Sequence, residues 1–292
     1  MEIRKAERKK AKIKMAIQGA AGSGKTFSSL LIAFGLCGDW SKIVIVDSEN
    51  NSADLYSNLG SYNVLNIPMP YTPEKYTEAI KMALKAGMEA IIIDSISHCW
   101  DYLIQTHSEM AGNSFTNWSK ITPRQNAFIN AILQADAHII ATMRVKQDYV
   151  LNQKDGKYVP EKVGLKAVQR EGVDYEFTLV FDIDIKHNAT SSKDRTNLFE
   201  GKPQFKITSK TGEEILQWCN SGTTEEVEIQ GLIDSCATID DLLELFNKYP
   251  SFQQLYSNEF STKKARLQKT NQQESFTITK FNQNGSFNIT RL

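Results

Sequence analysis

The stretch Gly19-Ala20-Ala21-Gly22-Ser23-Gly24-Lys25-Thr26 constrains this chain more than any other, because it reads G-x-x-x-x-G-K-[ST]. It follows an apolar, β-branched run at Ile13–Gln18 and opens a helical pattern at Lys25–Leu36, the strand-loop-helix setting in which such a loop acts. Its glycines let the backbone wrap a phosphate chain with N–H groups, and the start of the helix adds a favourable dipole. Lys25 then reaches the β- and γ-phosphates, and the Thr26 hydroxyl ligates Mg²⁺. Gly19 through Thr26, with Phe27 directly behind them, form the expected nucleotide cradle, and ATP with Mg²⁺ is the expected cofactor pair. The competing reading of the same residues is a glycine-rich strand-to-helix turn without a ligand.

A phosphate loop needs a sheet behind it. Short, nearly continuous apolar runs recur at Lys42–Asp47, Tyr62–Ile67, Glu89–Asp94 and His138–Met143, alternating with helical patterns at Pro73–Gly87 and Pro123–Ala135. Strands buried on both faces read this way, so the fold class is α/β, with a mainly parallel central sheet flanked by helices. Thr122 with Pro123 reads as the start of the third helix. The run Ala90-Ile91-Ile92-Ile93-Asp94 is an apolar strand ending in an acid, which makes Asp94 the second metal-directed group beside Thr26. Val46-Asp47-Ser48-Glu49 ends another strand in two carboxylates, where either Glu49 polarises a water or both acids merely cap a loop.

These motifs, in this order, resemble the core of the RecA ATPases over residues 13–145. The resemblance implies a RecA-like P-loop NTPase, with Glu49 activating water and Tyr56 packing on adenine. It departs from RecA in the N-terminal segment, which is a net-basic stretch of only about twelve residues here, and after Asp94, where Ala141-Thr142-Met143-Arg144 replaces the glutamine sensor. Thr142 or Arg144 then senses the γ-phosphate. Later segments, including Lys162 to Phe177 and Ser192-Lys193-Asp194-Arg195-Thr196, are similar to short phage-encoded RecA-like ATPases of the Sak group, linked to single-strand annealing. That similarity extends to about residue 215. It implies a role in DNA recombination, a homo-oligomer, and a single-strand-binding or annealing protein as partner.

Of 292 residues 41% are hydrophobic, which excludes a disordered chain, and 34 basic residues balance 34 acidic ones. Nucleic-acid binding therefore needs a local patch. Residues 144–170 carry one, with Arg144, Lys146, Lys154, Lys157, Lys162, Lys166 and Arg170 against three acids, and with Tyr149 and Tyr158 interleaved. The segment reads as a long mobile loop that either holds single-stranded DNA or is simply solvated. Phe177–Ile185 and Gln204–Thr208 read as added antiparallel strands. Between them a polar turn carries Lys193 and Arg195, which reach a neighbouring subunit's γ-phosphate or sit in an ordinary exposed hairpin.

The expected organisation is a basic segment (1–12), a RecA-like ATPase domain (13–220), a small acidic helical region (221–270) and a polar tail or hairpin (271–292). The basic segment contacts phosphate, docks on a neighbour or frays. Cys37, Cys99, Cys219 and Cys236 lack metal or disulfide spacing, and His98, His107, His138 and His187 lack metal spacing. With no apolar run of membrane length and no secretory signal, a cytoplasmic protein without membrane contact is expected, in the bacterial host if phage-encoded. Competing functions are a ring-forming helicase-like motor and a nucleotide-binding regulator that ignores DNA.

Overall fold

Strands that are apolar at every position can be stable only when both faces of their sheet are covered. The computed structural model describes residues 11–154, 157–221, 225–250, 253 and 256–276. Lys10–Asn220 forms one compact unit, and the chain from Ser221 belongs to a second. The first contains, in order, β1 (Lys14–Gly19), α1 (Lys25–Cys37), β2 (Ile43–Asp47), β3 (Asn63–Asn66), α2 (Pro73–Lys85), β4 (Ala90–Asp94), α3 (Ile96–Glu109), α4 (Ser114–Gln134), β5 (His138–Lys154), β6 (Lys157–Ala167), β7 (Leu179–Ile183), β8 (Ala189–Asp194) and α5 (Ser209–Asn220). The sheet order is β3-β2-β4-β5-β1-β7-β8. Every neighbouring pair is parallel except β7 with β8.

Period-2 alternation divides each strand between two cores. Val44, Val46, Ile91 and Ile93 pack on one face with Tyr76 of α2 and Phe128 of α4. Ile43, Ile45 and Ile92 pack on the other with Leu30 and Leu36 of α1 and Ile215 of α5. These strand residues are at most 4% exposed, so each large side chain contributes about 1.5–3 kcal/mol of burial. On the second face α1 and α5 approach backbone to backbone. A Cβ on Gly35 would lie 2.0 Å from the Ser209 carbonyl oxygen, and one on Gly212 would lie 2.3 Å from that of Ile32.

Four local expectations are corrected. Residues 146–166 are no loop: β5 continues past the sheet and pairs antiparallel with β6 in a long hairpin, broken by one register shift at Asp148/Tyr149. Pro123 does not open a helix, because α4 starts nine residues earlier, where the Asn113 side chain accepts from the Phe115 N–H at 2.8 Å. A proline inside a helix forfeits one backbone bond, and α4 carries it within a helix of 21 residues. The polar turn at 188–195 is strand β8, with the turn proper at Asp184–Asn188. Gln204–Thr208 contributes only an isolated bridge, Phe205 to Ala189.

The second unit holds α6 (Glu225–Ser235), α7 (Ile239–Lys248) and α8 (Ser257–Phe276). Ile229, Ile233, Leu242 and Phe260 form its core, and Thr238 with Asp241 makes a reciprocal cap on α7. Phe276 ends α8 instead of starting a strand. The expected basic start, up to residue 10, and the remaining tail residues Ile278, Phe287 and Ile289 lie outside the described residues.

Candidate active site

Parallel register brings the catalytic candidates to one edge. Gly19 at the end of β1 pairs with Arg144 of β5, and Asp47 at the end of β2 pairs with Asp94 of β4. In open α/β sheets this carboxyl edge is where ligands bind. The loop after β1 turns through Gly22 and Gly24, whose φ angles of 77° and 90° suit glycine. Lys25 Nζ donates to the carbonyls of Gly19 at 3.0 Å and Ala20 at 2.9 Å, so its ammonium lies across the mouth of the loop. Burial lowers the Lys25 pKa, against the opposing pull of Asp94 and Glu49. Ser23 Oγ is buried without a hydrogen-bond partner. A cradle of N–H groups, a cation and an orphaned hydroxyl has the donor set that a polyphosphate requires.

Beside it, Thr26 Oγ1 donates to Asp94 Oδ2 at 2.5 Å, and Thr142 Oγ1 donates to Asp94 Oδ1 at 2.5 Å. Burial raises the Asp94 pKa, and these two hydroxyls oppose the rise. A hydroxyl and a carboxylate in contact beneath the phosphate cradle form the hard-oxygen donor pair that suits Mg²⁺. The structure thus joins Thr26, Asp94 and Thr142 in one cluster. No group of three His, Cys, Asp or Glu side chains among the described residues offers another metal site.

The two acids after β2 separate. Asp47 is the cap: its Oδ1 accepts from Glu49 N–H at 2.5 Å and its Oδ2 from Ala53 N–H at 3.0 Å. Glu49 instead forms a bidentate ion pair with Arg144, whose Nε lies 2.9 Å from Oε1 and whose Nη2 bonds Oε2. Burial pushes the Glu49 pKa up, but Arg144 and the nearby His98 outweigh it and hold the carboxyl below its usual value. His98 Nε2 lies 3.7 Å from Glu49 Oε1, and its Nδ1 lies 2.9 Å from Ser48 Oγ. Arg144, which the sequence groups with the DNA cations, is therefore turned onto the acid of the nucleotide site.

Phe27 and Tyr56 face each other with ring centroids 6.0 Å apart and line a cavity of about 530 Å³ over the phosphate loop. His187 and Lys206 line it too. Sequence reasoning missed both, since His187 meets the loop across 164 residues of chain and carries no spacing signal. Lys193 and Arg195 lie elsewhere. Register places Asp194 opposite Leu179, which pairs with Met15, so they stand at the opposite end of the sheet from Gly19. Both donate to the Tyr175 carbonyl. Along the hairpin, register sets Lys146 opposite Lys166 and Lys154 opposite Lys157, with Lys162 opposite Tyr149.

Fold and site together define a P-loop nucleotide-binding ATPase domain. A family model described as an AAA domain matches residues 11–219, and the chain belongs to that family. No curated protein matches the sequence. No described helix is long and apolar enough to cross a membrane.

Proposed function

We propose that this AAA-domain protein hydrolyses ATP with Mg²⁺ and couples turnover to single-stranded DNA held along the β5–β6 hairpin. It acts as a homo-oligomer in phage recombination or annealing in the host cytoplasm, as its resemblance to the short RecA-like ATPases of the Sak group implies. Mg²⁺ neutralises phosphate charge when bound, and Thr26 and Asp94 are the residues that hold it. Lys25 binds the terminal phosphates, Tyr56 and Phe27 take the base, and Glu49 accepts the proton of the attacking water. Thr142 keeps Asp94 oriented.

The observation that carries the reading is the position of Arg144. It sits on β5 between Thr142, bonded to Asp94, and the first residues of the hairpin, and it clamps Glu49. A strand tied at one end to the general base and extended at the other into a cationic ribbon links hydrolysis to whatever binds the ribbon. Like charges directly opposite on paired strands repel. Lys146 and Lys166 are such a pair, and a phosphate chain would relieve them.

The test is ATPase rate with and without single-stranded DNA. Neutralising Lys154, Lys157, Lys162 and Lys166 together should abolish stimulation and weaken DNA binding, reducing the salt slope by about 0.7 for each phosphate no longer neutralised. DNA-independent turnover in the wild type, or an unchanged slope in the variant, would reject the DNA reading and favour a regulator that ignores DNA.

A further inference from the structure

The turn between β7 and β8 reaches the phosphate loop, and none of the chemistry assigned to the site uses it. Ile183, the last residue of β7, pairs with Gly19, so the turn that follows lands beside the loop. That turn is built to hold one shape. Asp184 Oδ1 accepts from the N–H groups of Lys186 at 2.8 Å and Asn188 at 2.9 Å, and Asp184 Oδ2 accepts from Asn188 Nδ2 at 3.1 Å. Lys206 Nζ donates to the Lys186 carbonyl. His187 sits at the crest with φ 64°, a left-handed conformation uncommon for histidine.

Its imidazole Nδ1 lies 2.8 Å from the Ser23 carbonyl oxygen. A carbonyl only accepts, so Nδ1 carries the hydrogen and donates. The fit is close, because a Cβ on Gly24 would stand 3.0 Å from Nδ1. The consequence follows from peptide geometry. In a trans peptide the C=O and the next N–H point in opposite directions. Holding the Ser23 oxygen on His187 therefore turns the Gly24 N–H to the other side of the peptide, and among the described residues that N–H donates to no backbone acceptor. Glycine at Gly24, with φ 90°, leaves this peptide otherwise free to rotate.

We propose that His187 is a positioning residue of the phosphate loop: by fixing the Ser23 carbonyl it aims the Gly24 N–H at a bound nucleotide's phosphate oxygens, and so sets affinity for the polyphosphate. The inference rests on the nucleotide-binding reading of the loop and adds to it a residue contributed by the β7–β8 turn.

The test is calorimetric titration of the full chain with Mg·ADP, using H187G and H187N. Glycine keeps the left-handed backbone without strain and removes the donor, so H187G should bind about tenfold more weakly, the value of one hydrogen bond to a charged ligand. Asparagine tolerates the same backbone, and its amide nitrogen falls close to the place of Nδ1, so H187N should bind within about threefold of wild type. A merely structural role would lower the thermal midpoint in both variants without separating their affinities. Wild-type affinity in H187G, or equal loss in H187N and H187G, overturns the proposal. Absence of Mg·ADP binding by the wild type overturns the underlying reading as well, whereas binding that K25A removes and H187G leaves intact overturns only the role of His187.

Discussion

His138 makes the stability of the larger unit depend on pH between about 7 and 5, above the range in which ordinary carboxylates titrate. It opens β5, is 3% exposed, and its Nδ1 accepts the Ile13 N–H at 3.1 Å. Burial, with the positive charges of Lys12 and Lys14 nearby, lowers its pKa from 6.5 to about 3. The unfolded chain therefore binds a proton below about pH 6.5 that the folded chain refuses, and stability is lost as pH falls from that value towards 3. At about 1.36 kcal/mol per pH unit, going from pH 7 to pH 5 removes about 2 kcal/mol, allowing for partial titration at both limits. For a unit of this size that lowers the urea midpoint by about 1 M. Trp40, Trp100, Trp118 and Trp218 are the four tryptophans and all lie within residues 10–220, so their fluorescence follows this unit alone. H138N keeps an acceptor for Ile13 without a titratable ring. It should lose some stability at both pH values through lost volume, yet show a drop between pH 7 and pH 5 smaller than wild type by about 2 kcal/mol. Equal drops in the two proteins would refute the reasoning, because every other titrating group is common to both.

E49Q should bind ATP with near wild-type affinity and lose about 10²–10⁴ in turnover, checked by single-turnover hydrolysis beside nucleotide titration; lost binding would make Glu49 structural instead. G35A should destabilise the larger unit by at least about 3 kcal/mol in urea unfolding, because the added methyl meets backbone of α5 at 2.0 Å instead of a side chain that can swing away. R195A should bind nucleotide but not hydrolyse it, and mixing it with K25A subunits should restore part of the activity if Arg195 serves a neighbour's site. No restoration in a demonstrated oligomer would leave Arg195 as a brace on the Tyr175 carbonyl, the contact it makes within its own chain.

What the sequence made legible is local. The phosphate loop could be read because its chemistry demands glycines and a lysine at fixed spacing beside one strand, and Asp94 because four apolar residues before an acid describe a buried strand meeting a polar edge. The hairpin could not. Pro160 reads as a strand breaker, and a register shift at Asp148/Tyr149 interrupts the period of two. Nor could the partners of the cations be read. Arg144 heads a run of basic residues in sequence, and charge counting assigns it to the run, yet parallel pairing of β5 between β4 and β1 sets it above the nucleotide edge, where a half-buried Glu49 is the available anion. Lys193 and Arg195 show the converse, since antiparallel pairing of β8 sets them at the far end of the sheet from their own chain's phosphate loop and leaves a neighbour's site as the one they could serve. His187 is the extreme case, a residue that composition marks as ordinary and that only the juxtaposition of β7 with β1 brings to the loop. Charge and residue type state what a side chain can do. Strand order decides which ligand it meets, and in this chain one strand, β5, carries at its sheet end the contacts to Asp94 and Glu49 and beyond it Lys146 and Lys154 of the hairpin. A perturbation of β5 at Thr142 or Arg144 should therefore reach Glu49, through the Arg144 ion pair, and the phosphate loop as well, through Asp94 with Thr26 and the pairing of Arg144 with Gly19.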